Sequence, residues 1–228
     1  MKILAKGNSK RTEEFKQKLL LVDYELVCVD ENTNNLVKEG HFDMIFDLNF
    51  DDNAQNGLDC YTELTKTPVF ICAVKSSLAQ IVQNNQAKIS FPLYGINSIE
   101  TFINRNLLEV SIYKNTDEEI LQNSLKQLNW EYKIVGDRVG MVTPRVICMI
   151  INEACYTLQE GTANMVDIDI SMKLGTNYPF GPFEWADKIG ISNVYQILDS
   201  VYNDTKDERY KICPLLKTYY LKGINFYN

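Results

Sequence analysis

Side chains that could carry out acid–base, nucleophilic or metal chemistry are few in this sequence. The chain contains one histidine, His41, which leaves too few imidazoles for most zinc sites or a serine–histidine–aspartate triad. Its six cysteines lie in apolar segments and form no C-x-x-C pair, the spacing typical of metal and redox sites. We therefore predict reduced core cysteines and no metal site.

The hexapeptide Gly7-Asn8-Ser9-Lys10-Arg11-Thr12 stands where a dinucleotide-binding unit has its glycine-rich turn. In the G-x-G-x-x-G pattern the glycines allow a tight turn, close approach of the backbone to a pyrophosphate, and close packing of helix on strand. Only Gly7 is present, because Ser9 and Thr12 replace the second and third glycines. We expect NAD affinity to fall steeply. Asp30, at the end of the second strand, is either the acidic residue that binds the adenosine ribose or a solvated carboxylate.

The first half of the chain alternates short apolar runs with amphipathic helical runs. This pattern is typical of βαβ units and of a mainly parallel sheet. Helical spacing of apolar residues is found at 12–21 and at 117–127. The predicted strands are Lys2–Ala5, Glu25–Val29, Met44–Leu48, Val69–Ala73, Lys88–Phe91, Leu107–Ile112 and Glu131–Val135.

After Gly136 only helical signals remain, so we predict two domains, 1–138 and 139–228, with a boundary between 136 and 142. Thr143-Pro144 supplies a helix N-cap and a first-turn proline, and Gly161 a left-handed C-cap. The following helices are predicted from Asn164 to Gly175, up to Gly190, from Ser192 to Tyr202, and from Pro214 to Gly223.

Composition excludes several kinds of partner. With 228 residues, 45% of them hydrophobic, the chain can bury a sizeable core. Its net charge of -7 provides no basic surface for phosphate backbones, so we expect no nucleic-acid partner. Residues 1–10 reach polar side chains before any long apolar run, so we expect no signal peptide, no membrane span and a cytoplasmic location.

A dense, ordered series of motifs runs through the second half. It comprises Asn152-Glu153-Ala154, Leu158–Gly161, Asp167-Ile168-Asp169, Met172–Gly175, Gly181–Glu184, Ala186-Asp187, Ile189-Gly190, Cys213–Leu216 and Gly223–Tyr227. The series resembles the C-terminal domain of the 3-hydroxyacyl-CoA dehydrogenases. The resemblance implies a Rossmann-like NAD-binding domain with a mainly parallel sheet, followed by an all-helical domain that serves for dimerisation.

The first half resembles the same family more sparsely, in the right order. The matching positions are Lys2-Ile3, Gly7, Val27–Asp30, Asp43–Asp47, Ser76–Leu78, Gly95 and Leu107–Val110. The family carries a long helical excursion after its second strand and uses it against CoA. Here only residues 31–42 separate the second predicted strand from the third. The resemblance therefore implies a trimmed NAD-binding-type domain with altered CoA binding.

The family's oxidation step uses a histidine, oriented by a glutamate, to accept the hydroxyl proton while hydride passes to NAD. With Leu107–Val110 as the anchor, the resemblance implies that Glu109 is the glutamate and Asn97 the histidine position. Asparagine cannot accept a proton. Ser76 matches the serine that reaches the substrate oxygen, and Pro144, which lacks an amide, replaces the substrate-contacting asparagine. Ordinary loop and strand-end roles remain the alternative for Ser76 and Glu109.

Two functions follow as alternatives. One is an active NAD-dependent 3-hydroxyacyl-CoA dehydrogenase with an atypical site. The other, favoured by the altered turn and the missing base, is a non-catalytic relative that binds an acyl thioester or a partner and forms a homodimer through residues 139–228. Several apolar residues of that region are either core or dimer face: Met149, Ile150, Tyr156, Phe180, Phe183 and Trp185.

Overall fold

The computed structural model describes residues 1–19, 23–30, 33, 37, 40–52 and 57–227. The chain forms two compact units, Met1–Met141 and Val142–Asn228. The first is α/β and the second is helical. The division falls within the range of residues 136–142 where the sequence places a boundary. Across the described ranges, no helix has both the length and the apolarity required to cross a membrane.

A single sheet of seven strands forms the centre of the first unit in the described part of the chain. The strands are β1 (Lys2–Lys6), β2 (Glu25–Val29), β3 (Met44–Asp47), β4 (Val69–Cys72), β5 (Leu93–Ile96), β6 (Leu107–Ile112) and β7 (Glu131–Ile134). Their order is β2-β1-β3-β4-β5-β6-β7, and every neighbouring pair is parallel except β5 and β6. The predicted mainly parallel sheet is therefore confirmed.

The strand order reverses between β1 and β3. The chain passes from β1 outward to β2 and then crosses back to β3 on the other side of β1. The carboxyl ends of β1 and β3 consequently flank a topological switch point, the place where open α/β sheets bind their ligands. This edge is where a cofactor site must be sought.

Six predicted strands agree with the structure to within one residue at each end, and the prediction for Lys88–Phe91 is wrong. The Ser90 hydroxyl in this segment donates to loop carbonyls of Thr62 and Leu64. The strand begins only after Pro92, which has no amide to contribute to a ladder. Gly95 lies within this strand. The position takes a glycine because a Cβ there would stand 2.4 Å from the Oγ of Ser111.

Among the residues that the structure describes, the first unit has three α-helices: α1 (Ser9–Lys18), α2 (Leu78–Asn85) and α3 (Glu118–Gln127). Helix α1 begins earlier than predicted because the side chain of Asn8 caps it, and residues 20–22 at the predicted end lie outside the described residues. Phe15 of α1 packs against Phe46 of β3 with ring centroids 4.7 Å apart, and Trp130 contacts both rings. These aromatic contacts fix α1 on the sheet.

The second unit contains α4 (Thr143–Gln159), α5 (Met165–Thr176), α6 (Pro182–Ile189), α7 (Ile191–Thr205) and α8 (Pro214–Lys222). Gly161 has a positive φ just after α4, where a left-handed cap is predicted, and Gly223 has a positive φ at the predicted end of α8. Three predicted helix boundaries are wrong. Val142, and not Thr143, is the residue that precedes α4 as its N-cap. Helix α7 begins directly after Gly190, one residue before the predicted Ser192. Helix α5 continues past Gly175 to Thr176, and Asn177 caps it in the left-handed region.

Candidate functional site

Side chains of the chain itself hold the turn between β1 and α1. The amide of Asn8 donates to Oδ1 of Asn49, and the amide of Arg11 donates to Oδ1 of Asn8, both at 2.9 Å. A Cβ on Gly7 would lie 3.0 Å from the same Asn49 oxygen. In a dinucleotide site, amides of this turn face the phosphates. Two amides of this turn are therefore bonded to side chains of the chain itself.

Arg11 projects from the first turn of α1 and its side chain is fully buried. Its guanidinium donates to the carbonyl of Leu48 at 2.6 Å and pairs with Asp52 at 2.9 Å and with Glu100 at 3.3 Å. Lys75 binds the same Asp52 at 2.5 Å. Segments that follow β3, β4 and β5 are thus joined to α1 at the carboxyl edge of the sheet. We call Arg11, Asp52, Lys75 and Glu100 the Arg11 cluster.

The charged side chains of the Arg11 cluster neutralise one another, because each cation pairs with a carboxylate of the same cluster. Burial alone would raise the pKa of Asp52, but the charges of Arg11 and Lys75 outweigh it and hold this pKa below its usual value. Asp51, next to it, accepts bonds from the amides of Val74 and Lys75 at 2.6 and 2.7 Å. A phosphate entering here would have to displace carboxylates that are already bonded to both cations.

Asn97 lies directly after β5, and Glu109 lies in β6, one residue before the last pair of the β5–β6 ladder. The antiparallel register pairs Ile96 with Val110, so the next pair outward is Asn97 with Glu109. Directly opposite residues of an antiparallel pair project from the same face. Asn97 is buried, and its side-chain oxygen accepts a bond from the amide of Ile99 at 3.4 Å. Asparagine at position 97 offers no proton-accepting group.

The remaining predicted site residues of the first unit lie around the same edge. Ser9 is exposed at the start of α1, Asp30 is exposed directly after β2, and Ser76 is half-buried after β4. Thr12 is buried, and its hydroxyl donates to the carbonyl of Asn8. The structure brings these residues to one side of the sheet, with the Arg11 cluster at the same edge.

The sequence patterns did not identify the other three members of the Arg11 cluster. Asp52 follows β3, Lys75 follows β4 and Glu100 follows β5, each within five residues of the strand end. Charged residues just after successive parallel strands meet at one edge, and this spacing is the signal that could have identified them. Pro144, in the second unit, occupies the first turn of α4, where a missing amide breaks no helical hydrogen bond.

Motif residues of the helical unit bind backbone groups. Asp169 of α5 accepts the amides of Phe183 and Glu184 at 2.8 and 3.0 Å and the hydroxyl of Tyr227 at 2.9 Å. It thereby caps the N-terminus of α6. A Cβ on Gly181 would lie 2.2 Å from the Asp169 carboxyl carbon, so a side chain there would block the cap. The Asp169–Gly181 pairing of the motif is explained by this packing.

Two further motif residues have the same kind of role. Asn152 of α4 donates to the carbonyl of Lys211 and accepts from the amide of Cys213, both at 2.8 Å, and so holds the entry to α8. Asp187 accepts the amides of Phe226 and Tyr227 and fixes the C-terminal segment. The motifs of this unit therefore account for its fold.

Exposed apolar side chains form two stripes on the helical unit. Val142 and Val146 are half exposed at the start of α4, and Val166, Ile170 and Leu174 follow one face of α5 at four-residue spacing, with Leu174 82% exposed. A cavity of about 350 Å³ opens between the two helices, and its apolar lining includes Ile150, Ala154, Ile168 and Met172. We call these stripes and the cavity the α4–α5 surface. Of the residues left open between core and dimer face, Phe183 and Trp185 are buried, while Met149, Ile150, Tyr156 and Phe180 are half-buried.

Residues 140–225 match the family model of the 3-hydroxyacyl-CoA dehydrogenase C-terminal domain. The helical unit is thus similar to this C-terminal domain over nearly its whole length. The resemblance inferred from the motifs is thereby confirmed. The 3-hydroxybutyryl-CoA dehydrogenase of Bradyrhizobium diazoefficiens is 35% identical over 111 residues, which are 47% of this chain and 38% of that protein.

A probable 3-hydroxybutyryl-CoA dehydrogenase of Bacillus subtilis is 42% identical over 89 residues, 39% of this chain and 31% of the relative. The chain thus spans well under half the length of these two relatives. Solved structures show the two-domain fold. The (S)-3-hydroxybutyryl-CoA dehydrogenase PaaH1 of Ralstonia eutropha matches with a TM-score of 0.68 at 19% identity, over 97% of this chain and 94% of that one. M. tuberculosis FadB2 matches with a TM-score of 0.72 at 13% identity, over 97% and 93%. The predicted Rossmann-like domain followed by a helical domain is confirmed.

Proposed function

We propose that this chain is a non-catalytic, cytoplasmic member of the 3-hydroxyacyl-CoA dehydrogenase family that binds an acyl thioester or a protein partner without using NAD. The observation that carries the proposal is the Arg11 cluster at the switch point of the sheet. A dinucleotide-binding turn needs free amides and room for a pyrophosphate. Here the amides of Asn8 and Arg11 are bonded to the side chains of Asn49 and Asn8, and the Arg11 guanidinium is buried against Asp52 and Glu100.

The second support comes from the proton acceptor. Abstraction of a hydroxyl proton needs a base whose pKa lies near the working pH, within hydrogen-bond reach of the substrate. Position 97 holds a buried asparagine amide, which has no such pKa. Loss of the base and loss of the cofactor turn are independent changes, and either one alone would stop hydride transfer.

The α4–α5 surface supports a homodimer through the helical unit. Monomeric proteins rarely expose contiguous apolar stripes of this kind, and an isologous interface buries the same patch on both copies. Leu174 is the most exposed large apolar side chain of the stripe on α5. Its position makes a second copy of this chain the partner that we propose.

The experiment follows NADH absorbance while purified protein is mixed with acetoacetyl-CoA. We expect no consumption of NADH above the rate without protein. We expect the same result for Asn97→His, because restoring the base leaves the pyrophosphate turn unchanged. Robust consumption by the parent chain that Glu109→Ala abolishes would overturn the proposal.

That outcome would support the second candidate, an active NAD-dependent 3-hydroxyacyl-CoA dehydrogenase with an atypical site. The observation that favours it is the placement of Ser76, Glu109 and Asp30. Ser76 follows β4, Glu109 lies in β6 next to the residue that pairs with Ile96, and Asp30 directly follows β2. The turnover assay therefore separates the two candidates.

A further inference from the structure

A second cavity of about 350 Å³ lies in the first unit, between the end of α1 and the segments that precede β6 and β7. Its lining is mainly polar and includes Lys18, Arg105, Asn129, Trp130 and Glu131. None of these residues belongs to the Arg11 cluster or to the predicted catalytic positions. The cavity is therefore a candidate site of its own.

Lys18 is the lysine among the residues that line this cavity. Its amine donates to the backbone carbonyl of Arg105 and lies 4.9 Å from the centroid of the Trp130 ring. Within the ranges that the structure describes, Lys18 forms no ion pair with a carboxylate. The amine is thus held by one carbonyl and one aromatic face, and the side chain lines the cavity.

Burial lowers the pKa of Lys18 to about 8. The other charged groups lining the cavity are Arg105 and Glu131. At pH 8 about half of the Lys18 amines are neutral, against less than ~1% for a lysine of ordinary pKa. A neutral amine has the lone pair that a nucleophile requires.

We propose that Lys18 is a site of covalent acylation by small acyl thioesters that enter this cavity. The amine lone pair attacks the thioester carbonyl carbon, the carbon–sulfur bond breaks, and the thiolate leaves with its electron pair. The proton lost from nitrogen passes to the thiolate or to solvent. The products are an amide on Lys18 and a free thiol, so the step needs no oxidant and no cofactor. This inference goes beyond the proposed function, because it requires neither a dinucleotide nor recognition of CoA.

The chain offers matched controls for Lys18. Lys16 lies on the same helix, is exposed, and is 3.9 Å from Glu13. Lys126 of α3 lines an adjoining cavity and is also exposed. A less basic nucleophile is intrinsically slower, as it is for thiols, which offsets part of the gain in neutral amine. The net advantage expected for Lys18 is on the order of tenfold.

The experiment treats the full chain at pH 8 with S-acetyl-N-acetylcysteamine, a thioester without a nucleotide, and measures acetylation at each lysine by peptide mass spectrometry. We expect Lys18 to be acetylated about tenfold faster than Lys16 and Lys126. In concentrated urea the three rates should become equal. Acetylation of Lys18 in the folded protein at or below the rate of Lys16 would overturn the proposal. Because the reagent carries no CoA, this result is independent of whether the chain binds acyl-CoA or NADH.

Discussion

Replacement of Arg11 by methionine tests the Arg11 cluster directly. Methionine keeps most of the buried apolar stem but removes the guanidinium that joins Leu48, Asp52 and Glu100. Removing one partner of a buried ion pair costs about 3–5 kcal/mol, because a charge stays buried with less compensation. Asp52 keeps its contact with Lys75, so we take the lower end, about 3 kcal/mol of unfolding free energy.

The assay is urea unfolding monitored by tryptophan fluorescence. The chain contains two tryptophans, Trp130 in the first unit and Trp185 in the second, so a Trp185→Phe background leaves Trp130 as a reporter of the α/β unit. Exposed Lys10, one residue before Arg11, provides the control, since Lys10→Met should change the free energy by less than about 0.5 kcal/mol.

A double variant distinguishes a buried charge network from simple packing. If Glu100 is destabilised by losing the guanidinium, Glu100→Gln in the Arg11→Met background should cost less than Glu100→Gln alone, with a coupling of about 1 kcal/mol or more. An Arg11→Met protein within about 0.5 kcal/mol of its parent would refute the reasoning. So would additive effects of the two substitutions.

Three further predictions concern other parts of the molecule. Asp169→Asn should lower the unfolding free energy of the helical unit by about 1.5–3 kcal/mol, because the cap of α6 loses its charge. The control Asp167→Asn should have a small effect. Unfolding is followed by the fluorescence of Trp185, and equal losses for the two variants would contradict the capping role. Leu174→Glu should shift the mass measured by light scattering from that of a dimer to that of a monomer. Leu221 is also exposed, on α8, and Leu221→Glu should leave the mass unchanged. A parent protein that is monomeric at high concentration would count against the dimer. Since burial lowers the pKa of Lys18 to about 8, the unfolded chain holds a proton that the folded chain has released between pH 8 and about 10.4. The parent should therefore gain stability relative to Lys18→Met as the pH rises through this window, and a constant difference would exclude the shift.

Most strands could be predicted because each is a local apolar run. Val69–Cys72, for example, is buried on both faces of a parallel sheet and has a continuous apolar sequence. The segment Lys88–Phe91 alternates polar and apolar residues, which is also typical of a strand, but it packs as a loop, and the true strand contains Gly95. A glycine weakens the strand propensity of a segment. Gly95 is needed for close packing against Ser111, and no local sequence pattern reveals that contact.

The Arg11 cluster could not be predicted from local sequence. Arg11 stands between polar residues at a helix start, where basic residues are usually exposed, and its partners are 37 to 89 residues away. The missing glycines indicated only that a pyrophosphate would fit badly. The side chains that occupy this edge of the sheet come from segments that are distant in sequence. Only the topology shows that the ends of β3, β4 and β5 lie together.

The motifs of the helical unit were recognisable because they are dense, but their roles were not. Asp169 and Gly181 are twelve residues apart in sequence and in contact in the structure. The contact explains why an acidic residue and a glycine belong to one motif. The sequence suggested a family, and the three-dimensional arrangement shows that these two residues build the domain.

We propose that the switch point of the sheet is filled by this chain's own side chains and does not take a dinucleotide. Titrating the chain with NADH and monitoring the nicotinamide fluorescence tests this most directly. We predict no saturable change at micromolar NADH, for the parent chain and for Asn97→His alike. Saturable binding with a micromolar dissociation constant would contradict the account, because a pyrophosphate would then occupy the turn that Asn8, Arg11 and Asn49 close.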